Sequence, residues 1–238
     1  METLRIGETI QSAWETFKKR PFLFIGTTIV IAVATKLTNS ISEAFDQGAA
    51  MVVGYVITLV ISAFIGMGAS ALYLKAYETP EAASFRDLWH PQTFWKYVGM
   101  IICYSFVVFV PSAPFIFGGV FMAIGAIVTD NFGLLVASAA LVIVGICIGM
   151  LLTTIFAFAM YLVIDRKLGP IESMKESARI TKGNRVKLFV LILSLVGICI
   201  LGLAALTVGL LVAVPVVCLA MIRAYRVLEM RASPVVAV

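Results

Sequence analysis

The sequence is poor in charged residues. Asp, Glu, Lys and Arg make up 13% of its 238 residues, whereas 61% are hydrophobic. Soluble domains carry about 25% charged residues and about 45–50% apolar ones. A water-soluble globule could not bury this much apolar surface, so we predict an integral membrane protein. The net charge is +5, but the basic residues flank apolar runs instead of forming one patch, which excludes nucleic acid as a partner.

Histidine and cysteine are also scarce, and their positions exclude most metal chemistry. The one histidine is His90, and the four cysteines lie inside apolar runs at Cys103, Cys147, Cys199 and Cys218. Structural zinc sites and disulfide frameworks group their cysteines at short, characteristic spacings, and no such grouping is present. We therefore predict no metal site, no cofactor and no catalytic residues.

Long apolar runs dominate what remains. A transmembrane helix needs about 20 mostly apolar residues. The sequence contains six such segments, at about 21–37, 50–76, 96–128, 134–164, 186–205 and 208–228. We predict an all-α, polytopic membrane helix bundle of six transmembrane helices, which forms a single membrane domain over residues 1–238.

Prolines interrupt two of these segments. Pro111 and Pro114 lie in the third and Pro215 lies in the sixth. Proline removes a backbone donor and clashes with the preceding turn. Two crossings would need about 40 residues, so we interpret the third segment as one kinked helix, with unwinding at 111–114 as a further expectation. Pro215 is predicted to kink the sixth.

The basic residues are sorted to one side of the predicted spans. In this topology every Lys and Arg except Lys36 falls on the side that also holds both termini. Cytoplasmic loops of membrane proteins carry an excess of Lys and Arg. We therefore predict an even number of spans with both termini in the cytoplasm.

Each pair of spans follows an interfacial segment. Residues 3–19 form an amphipathic pattern with Ile6, Ile10, Trp14 and Phe17 on one face. Residues 169–183 form a second, with Ile171, Met174 and Ala178 facing inward and Gly183 as the C-terminal cap. The two share the pattern I-[QE]-S-x-x-E-[ST]-x-[KR]. We predict three hairpins in three pseudo-repeat units, at about 1–77, 78–165 and 166–238.

The spans contain almost no ionisable groups. Asp, Glu, Lys, Arg and His are absent from 21–35, 51–74, 97–128, 134–164 and 188–222. Such groups are costly in lipid and mark functional sites when they occur there. Their absence argues against a proton-coupled transporter, a channel with a charged ring, and a hydrolase with a membrane-embedded acid–base pair.

Charged residues at the span ends suggest structural contacts. We predict that Asp165 forms an ion pair with Arg223 or Arg226 and fixes the last hairpin to the second, although Arg223 could instead extend to lipid phosphates. Contacts with anionic lipid headgroups are predicted for Lys18, Lys19, Arg20, Arg185 and Lys187.

Small residues indicate where helices pack. Gly145 and Gly149 form a GxxxG motif in the fourth span. This motif allows close helix contact, either between two copies of the chain or, as we favour, within one chain. The hydroxyl residues Ser105, Ser112, Thr153 and Thr154 could line a polar seam beside the prolines.

Two stretches resemble a known family. These are IGETIQSAWETFKKRPFLFIG (residues 6–26) and YLVIDRKLGPIESMKESARITKGNR (residues 161–185). They resemble the membrane domain of bacterial glycerophosphoryl diester phosphodiesterases and related stand-alone six-span proteins of unknown function. The resemblance implies a bacterial inner-membrane location and a role connected with lipids or the envelope. It does not imply phosphodiesterase activity, because the chain has no room for the catalytic barrel.

The leading interpretation is a non-enzymatic, membrane-embedded binding or scaffold subunit whose partners are membrane lipids, another membrane protein or a second copy of itself. One alternative is a small permease-like transporter of an apolar or lipid-like solute, which needs a polar cavity near Pro111, Pro114 and Pro215. The other is an enzyme acting on lipid headgroups, which needs Asp165, Glu172 or His90 to converge.

Overall fold

The protein folds into α-helices joined by short turns. The structure is a computed structural model that describes residues 5–44, 49–79, 81–88, 93–205 and 209–232. Its helices are α1 (Ile6–Lys19), α2 (Pro21–Ala44), α3 (Ala49–Glu78), α4 (Phe94–Val128), α5 (Phe132–Ile155), α6 (Ala159–Asp165), α7 (Pro170–Thr181), α8 (Arg185–Ala204) and α9 (Leu210–Ala232), with a 3₁₀ turn at Phe85–Leu88. The predicted all-α class is confirmed.

Six of these segments are long and apolar enough to cross a membrane. They are α2, α3, α4, α5 together with α6, α8 and α9. The prediction of six spans is therefore confirmed, and the molecule is a multi-pass membrane protein. Several helices extend beyond the ends of the predicted spans, since residues that follow an apolar run can also be helical. In α2, for example, the helix includes Thr38, Asn39 and Ser40.

Polar contacts gather the helix ends at one pole of the bundle. Arg20 donates to the carbonyl oxygens of Glu81 and Ala83, both at 3.1 Å. Lys75 Nζ lies 2.7 Å from Asp87 Oδ1, next to the 3₁₀ turn. We call this pole the charged end. At the opposite end, residues 129–131 connect α4 to α5, and the Asn131 side chain accepts a hydrogen bond from Leu134 N–H.

The two predicted interfacial helices are present as α1 and α7. Gly183 follows α7 at φ +83°, which confirms it as the C-terminal cap. The inward face predicted for α7 is wrong at Ile171, which is 61% exposed, and is confirmed at Met174, which is buried. In α1, Phe17 is buried and Trp14 is 43% exposed, as an interfacial helix allows. The buried side chains of the two helices include hydroxyl residues such as Thr16 and Ser177, which sequence reasoning did not predict.

The shared pattern of α1 and α7 corresponds to shared burial. Ala13 and Met174 occupy equivalent positions in it, as do Thr16 and Ser177, and all four are buried. The helices pack on different partners, since α1 lies mainly against α9 whereas α7 contacts α4, α6 and α9. The three-unit organisation itself stays a prediction.

Helix α9 forms the centre of the bundle. It contacts α1, α2, α3, α7 and α8. Its Leu219, Tyr225 and Leu228 are fully buried beside Phe24 of α2 and Leu72 of α3. The elements at the charged end and the spans therefore share one apolar core.

The α4–α5 hairpin contradicts the predicted unwinding. Helix α4 runs without interruption from Phe94 to Val128 through Pro111 and Pro114, and Pro215 likewise lies inside an unbroken α9. Close packing against α5 directly after the prolines supports the helical conformation of α4 there. A Cβ on Gly145 would lie 2.7 Å from Ile116 Cγ1, and one on Gly119 would lie 2.6 Å from Val142 Cγ2.

The GxxxG motif of the fourth span faces this same contact. Gly145 lies against Phe115 and Ile116 of α4, and Gly149 lies near Ser112. The close approach of these glycines is therefore to a helix of the same chain. Small residues allow such contact in lipid, where van der Waals packing replaces the hydrophobic effect.

Candidate functional site

A large cavity lies between α4, α6, α8 and α9, and we call it the main cavity. Its volume is about 750 Å³. Its walls are mostly aliphatic, aromatic and sulfur-containing side chains: Tyr97, Met100, Ile101, Tyr104, Ser105, Thr153, Phe156, Ala157, Met160, Tyr161, Ile192, Leu195, Val196, Cys199, Ile200, Leu203, Leu210, Val217 and Met221. No Asp, Glu, Lys, Arg or His is among them. Ligand pockets of about 300–1,000 Å³ are typical for one small molecule.

The main cavity is elongated along the helices. On α8 its lining runs from Ile192 to Leu203. At 1.5 Å per residue this is roughly 16 Å. The apolar core of one leaflet is about 15 Å deep, half of the 30 Å hydrocarbon thickness. The cavity therefore extends over about the depth of one leaflet.

A second cavity, which we call the middle cavity, lies next to the main cavity and between α4, α5 and α8. Its volume is about 590 Å³. The two share Tyr104, Ser105, Thr153 and Ile192. All four residues of the predicted hydroxyl seam, namely Ser105, Ser112, Thr153 and Thr154, line the middle cavity. Ser112 donates to the carbonyl of Val108 and Thr154 to that of Met150 at 2.8 Å. Since these hydroxyls satisfy backbone carbonyls of their own helices, the seam is less polar than its composition indicates.

A break in the fourth span shapes the main cavity. Residues 156–158 form a turn between α5 and α6, although they contain neither proline nor glycine. Ser177 of α7 replaces the lost helical bonds, because its hydroxyl accepts from Phe158 N–H at 3.2 Å and donates to Ile155 O at 3.0 Å. Thr181 donates to the same carbonyl at 3.2 Å. The hydrogen bonds from α7 therefore stabilise the non-helical turn at Phe156 and Ala157.

An ion-pair network lies at the charged end, centred on Arg226 of α9. Its guanidinium is 2.7 Å from Asp165 Oδ2 and 2.7 Å from Glu229 Oε2, and it also pairs with Glu78. Tyr225 Oη lies 2.8 Å from Asp165 Oδ2 and 3.0 Å from Glu229 Oε1, and its one proton can be donated to either. The network therefore joins the ends of α3, α6 and α9.

A second set of charges extends this network to α7. Arg166 lies 2.7 Å from Glu229 Oε1 and 3.3 Å from Glu176 Oε1. Arg179 donates to both oxygens of Glu176, at 2.8 and 2.6 Å. This pairing with Arg179 lowers the pKa of Glu176 below its ordinary value. Glu176 is thus held ionised and shared between two arginines, an arrangement suited to fixing helices.

The predicted pairing of Asp165 is formed with Arg226, one of the two arginines considered. Arg223 is half-buried one turn deeper in α9. Of the predicted lipid contacts, Lys18, Lys19, Arg185 and Lys187 are exposed at the charged end. Arg20 is exposed as well, but its Nη1 anchors the loop that precedes the 3₁₀ turn.

The residues of the enzyme alternative take part in separate contacts. Glu172 Oε2 accepts from Gly169 N–H at 3.0 Å, which caps the start of α7, whereas Asp165 belongs to the ion-pair network. His90 lies outside the described residues. Within those residues, no group of three or more His, Cys, Asp or Glu side chains could hold a metal ion. The enzyme alternative stays a prediction.

Sequence reasoning missed several residues of this region. Glu78, Glu176 and Glu229 come from three different helices, and only the fold brings them together. The spacing of Tyr225, Arg226 and Glu229 was an available signal, because residues three and four apart meet on a helix face. For Ser177 the signal was weaker, since an interfacial serine ordinarily faces water.

Comparison with known proteins places the chain in a family. A family model described as "Protein of unknown function (DUF975)" matches residues 8–232. No curated protein and no solved structure matches the chain significantly. The matched region contains all six spans, both cavities and the ion-pair network. The chain therefore belongs to the family of proteins of unknown function DUF975.

Proposed function

We propose that this protein is a non-enzymatic, membrane-embedded binding protein whose main cavity holds the acyl chain of a membrane lipid. The observation that carries the proposal is an apolar cavity of about 750 Å³ that is as long as one leaflet is deep. In the bilayer, lipid chains are the molecules present at highest concentration beside such an opening. An acyl chain also needs none of the charged partners that the lining lacks.

The chemistry of the lining favours an apolar or lipid-like molecule, which is also the solute of the transporter alternative, over a polar one. That alternative needs a polar cavity near Pro111, Pro114 and Pro215. Ser112 in the middle cavity satisfies a backbone carbonyl, and Pro215 is buried in α9. The hydroxyls of Tyr104, Ser105 and Thr153 are the polar groups that both cavities share, so a strongly polar solute would lose most of its hydrogen bonds to water, at a cost of several kcal/mol.

We further propose that the charged end faces the cytoplasm of a bacterium, with both termini on that side of the inner membrane. The distribution of Lys and Arg supports this orientation. The resemblance of residues 6–26 and 161–185 to phosphodiesterase membrane domains supports the bacterial inner membrane and a lipid- or envelope-related role.

Filling the main cavity should release the bound lipid. Cys199 lines the cavity on α8, and Cys199→Trp places a large ring where the chain would lie. We expect native mass spectrometry from mild detergent to show a lipid adduct on the unmodified protein. The variant should lose at least about tenfold in bound lipid, which corresponds to about 1.4 kcal/mol.

Leu193→Trp is the matched control, because Leu193 is on the same helix, 51% exposed and outside the cavity lining. It should keep the adduct and have a thermal unfolding midpoint close to that of Cys199→Trp. Unmodified protein without any lipid adduct, or Cys199→Trp with an unchanged adduct, would contradict the proposal.

A further inference from the structure

A third opening lies between α5 and α8 at the charged end, and we call it the Arg185 cleft. Its volume is about 300 Å³, and its lining is apolar except for Thr154 and Arg185: Cys147, Met150, Leu151, Thr154, Ile155, Arg185, Val186 and Phe189. We propose that this cleft binds one anionic phospholipid of the leaflet at the charged end, with the phosphate on Arg185, the charge of Lys187 nearby on α8, and an acyl chain between the two helices.

The shape of the cleft fits a chain that enters from the charged end. Its lining on α5 extends from Ile155 back to Cys147, which at 1.5 Å per residue is roughly 12 Å along the helix. Arg185 is the first residue of α8 and lies at the charged end of the lining, opposite Cys147. A molecule that fills this cleft therefore needs an apolar chain and, at one end of it, an acceptor for a guanidinium.

The charges at the mouth select an anion. Arg185 is exposed there, and Lys182 and Lys187, both exposed as well, lie close to it along the chain. The nearest acidic group along the chain, Glu176, is already shared between Arg166 and Arg179. Among the described side chains, none forms an ion pair with Arg185. Guanidinium binds phosphate through paired hydrogen bonds, so a phosphodiester headgroup complements this mouth.

The start of α8 adds donors of the same kind. The Asn184 side chain does not cap the helix and instead accepts from Arg231 Nη1 at 3.4 Å. Within the part of the chain that the structure describes, no side chain accepts from the first-turn N–H groups of α8, next to Arg185. These N–H donors support the proposed site, but the site is defined by the apolar cleft and by Arg185.

The inference extends the proposed function and rests on its claim that the protein binds lipid. The Arg185 cleft adjoins the middle cavity, with which it shares Met150, Thr154 and Phe189. The main cavity has no charged lining residue and should not distinguish headgroups. The two sites can thus be tested with separate variants.

Lipid titration followed by native mass spectrometry tests the site on the full chain in mild detergent. The probes are phosphatidylglycerol and phosphatidylcholine with identical acyl chains. The unmodified protein should bind one phosphatidylglycerol more tightly than phosphatidylcholine. The double variant Arg185→Gln/Lys187→Gln should lose about thirtyfold in affinity for phosphatidylglycerol alone, since each of the two basic residues contributes about fivefold near an anionic surface.

Arg86→Gln/Lys175→Gln is the matched control, because it also removes one arginine and one lysine, both exposed, from the charged end. It should retain the preference for phosphatidylglycerol. Equal affinities of the unmodified protein for both lipids, or equal losses in the two double variants, would overturn the site. Loss of lipid from Cys199→Trp would still support the main cavity in that case, so the two proposals fail separately.

Discussion

Replacing Arg226 by methionine should destabilise the protein by about 3–5 kcal/mol. This is the typical loss when one partner of a buried ion pair is removed. Here Asp165 and Glu78 lose their arginine, whereas Glu229 keeps its pair with Arg166. The Arg226 side chain is 20% exposed and pairs with Glu78, Asp165 and Glu229 from three helices. Methionine keeps much of the volume but leaves three carboxylates near each other. Thermal and chemical unfolding of the protein in mild detergent would measure the loss.

Arg5→Met is the control for this change. Arg5 pairs with Glu8 at 2.8 Å, but the two side chains are 69% and 48% exposed. Exposed pairs of this kind contribute about 0–1 kcal/mol. Arg226→Lys should fall between the two variants, because an ammonium cannot fork to three carboxylates. If Arg226→Met costs no more than Arg5→Met, the network does not hold the helices together.

Replacing Gly68 by alanine should destabilise the protein by about 3 kcal/mol, near the upper end of overpacking costs. A Cβ on Gly68 would lie 2.1 Å from the carbonyl oxygen of Leu88 and 2.9 Å from its carbonyl carbon. Both are backbone atoms at the end of the 3₁₀ turn, so no side-chain rotation relieves the clash. Either α3 or the turn must shift, which also disturbs the contact of Lys75 with Asp87.

Gly197→Ala separates this clash from the general effect of a methyl group in a helix. Gly197 is in α8, and a Cβ there would meet no atom within 4 Å. Alanine stabilises helix interiors by up to about 1 kcal/mol relative to glycine. Gly197→Ala should therefore unfold at the same temperature as the unmodified protein or slightly higher. A Gly68→Ala variant as stable as Gly197→Ala would show that α3 and the 3₁₀ turn do not approach this closely.

The spans were predictable because each depends on local composition. A run of about 20 apolar residues forms a helix in lipid whatever its neighbours are, since the backbone must satisfy its own hydrogen bonds there. Helices α1 and α7 were predicted from another local signal, their amphipathic periodicity, and the end of α7 was predicted from Gly183. The sequence predicted that Asp165 pairs with either Arg223 or Arg226, because both arginines lie at a depth in the membrane similar to that of Asp165.

The features that sequence reasoning missed depend on distant contacts. Pro111 and Pro114 predict local unwinding, but packing on Gly145 of α5 supports the helical conformation of α4 directly after them. The turn at 156–158 has no breaking residue of its own and depends on the Ser177 hydroxyl. The cavities follow from these two features, because the tight α4–α5 contact and the turn together set the space beside α8.

The most direct test of the account is the side of the membrane on which the charged end lies. Reporters would be fused to each terminus and inserted after Asp130, in the turn between α4 and α5. We expect a fluorescent protein to fold and fluoresce at both termini and alkaline phosphatase to be inactive there, with phosphatase active only at Asp130. Phosphatase activity at either terminus would contradict the six-span orientation and, with it, the placement of Arg185 and Arg226 at the cytoplasmic face.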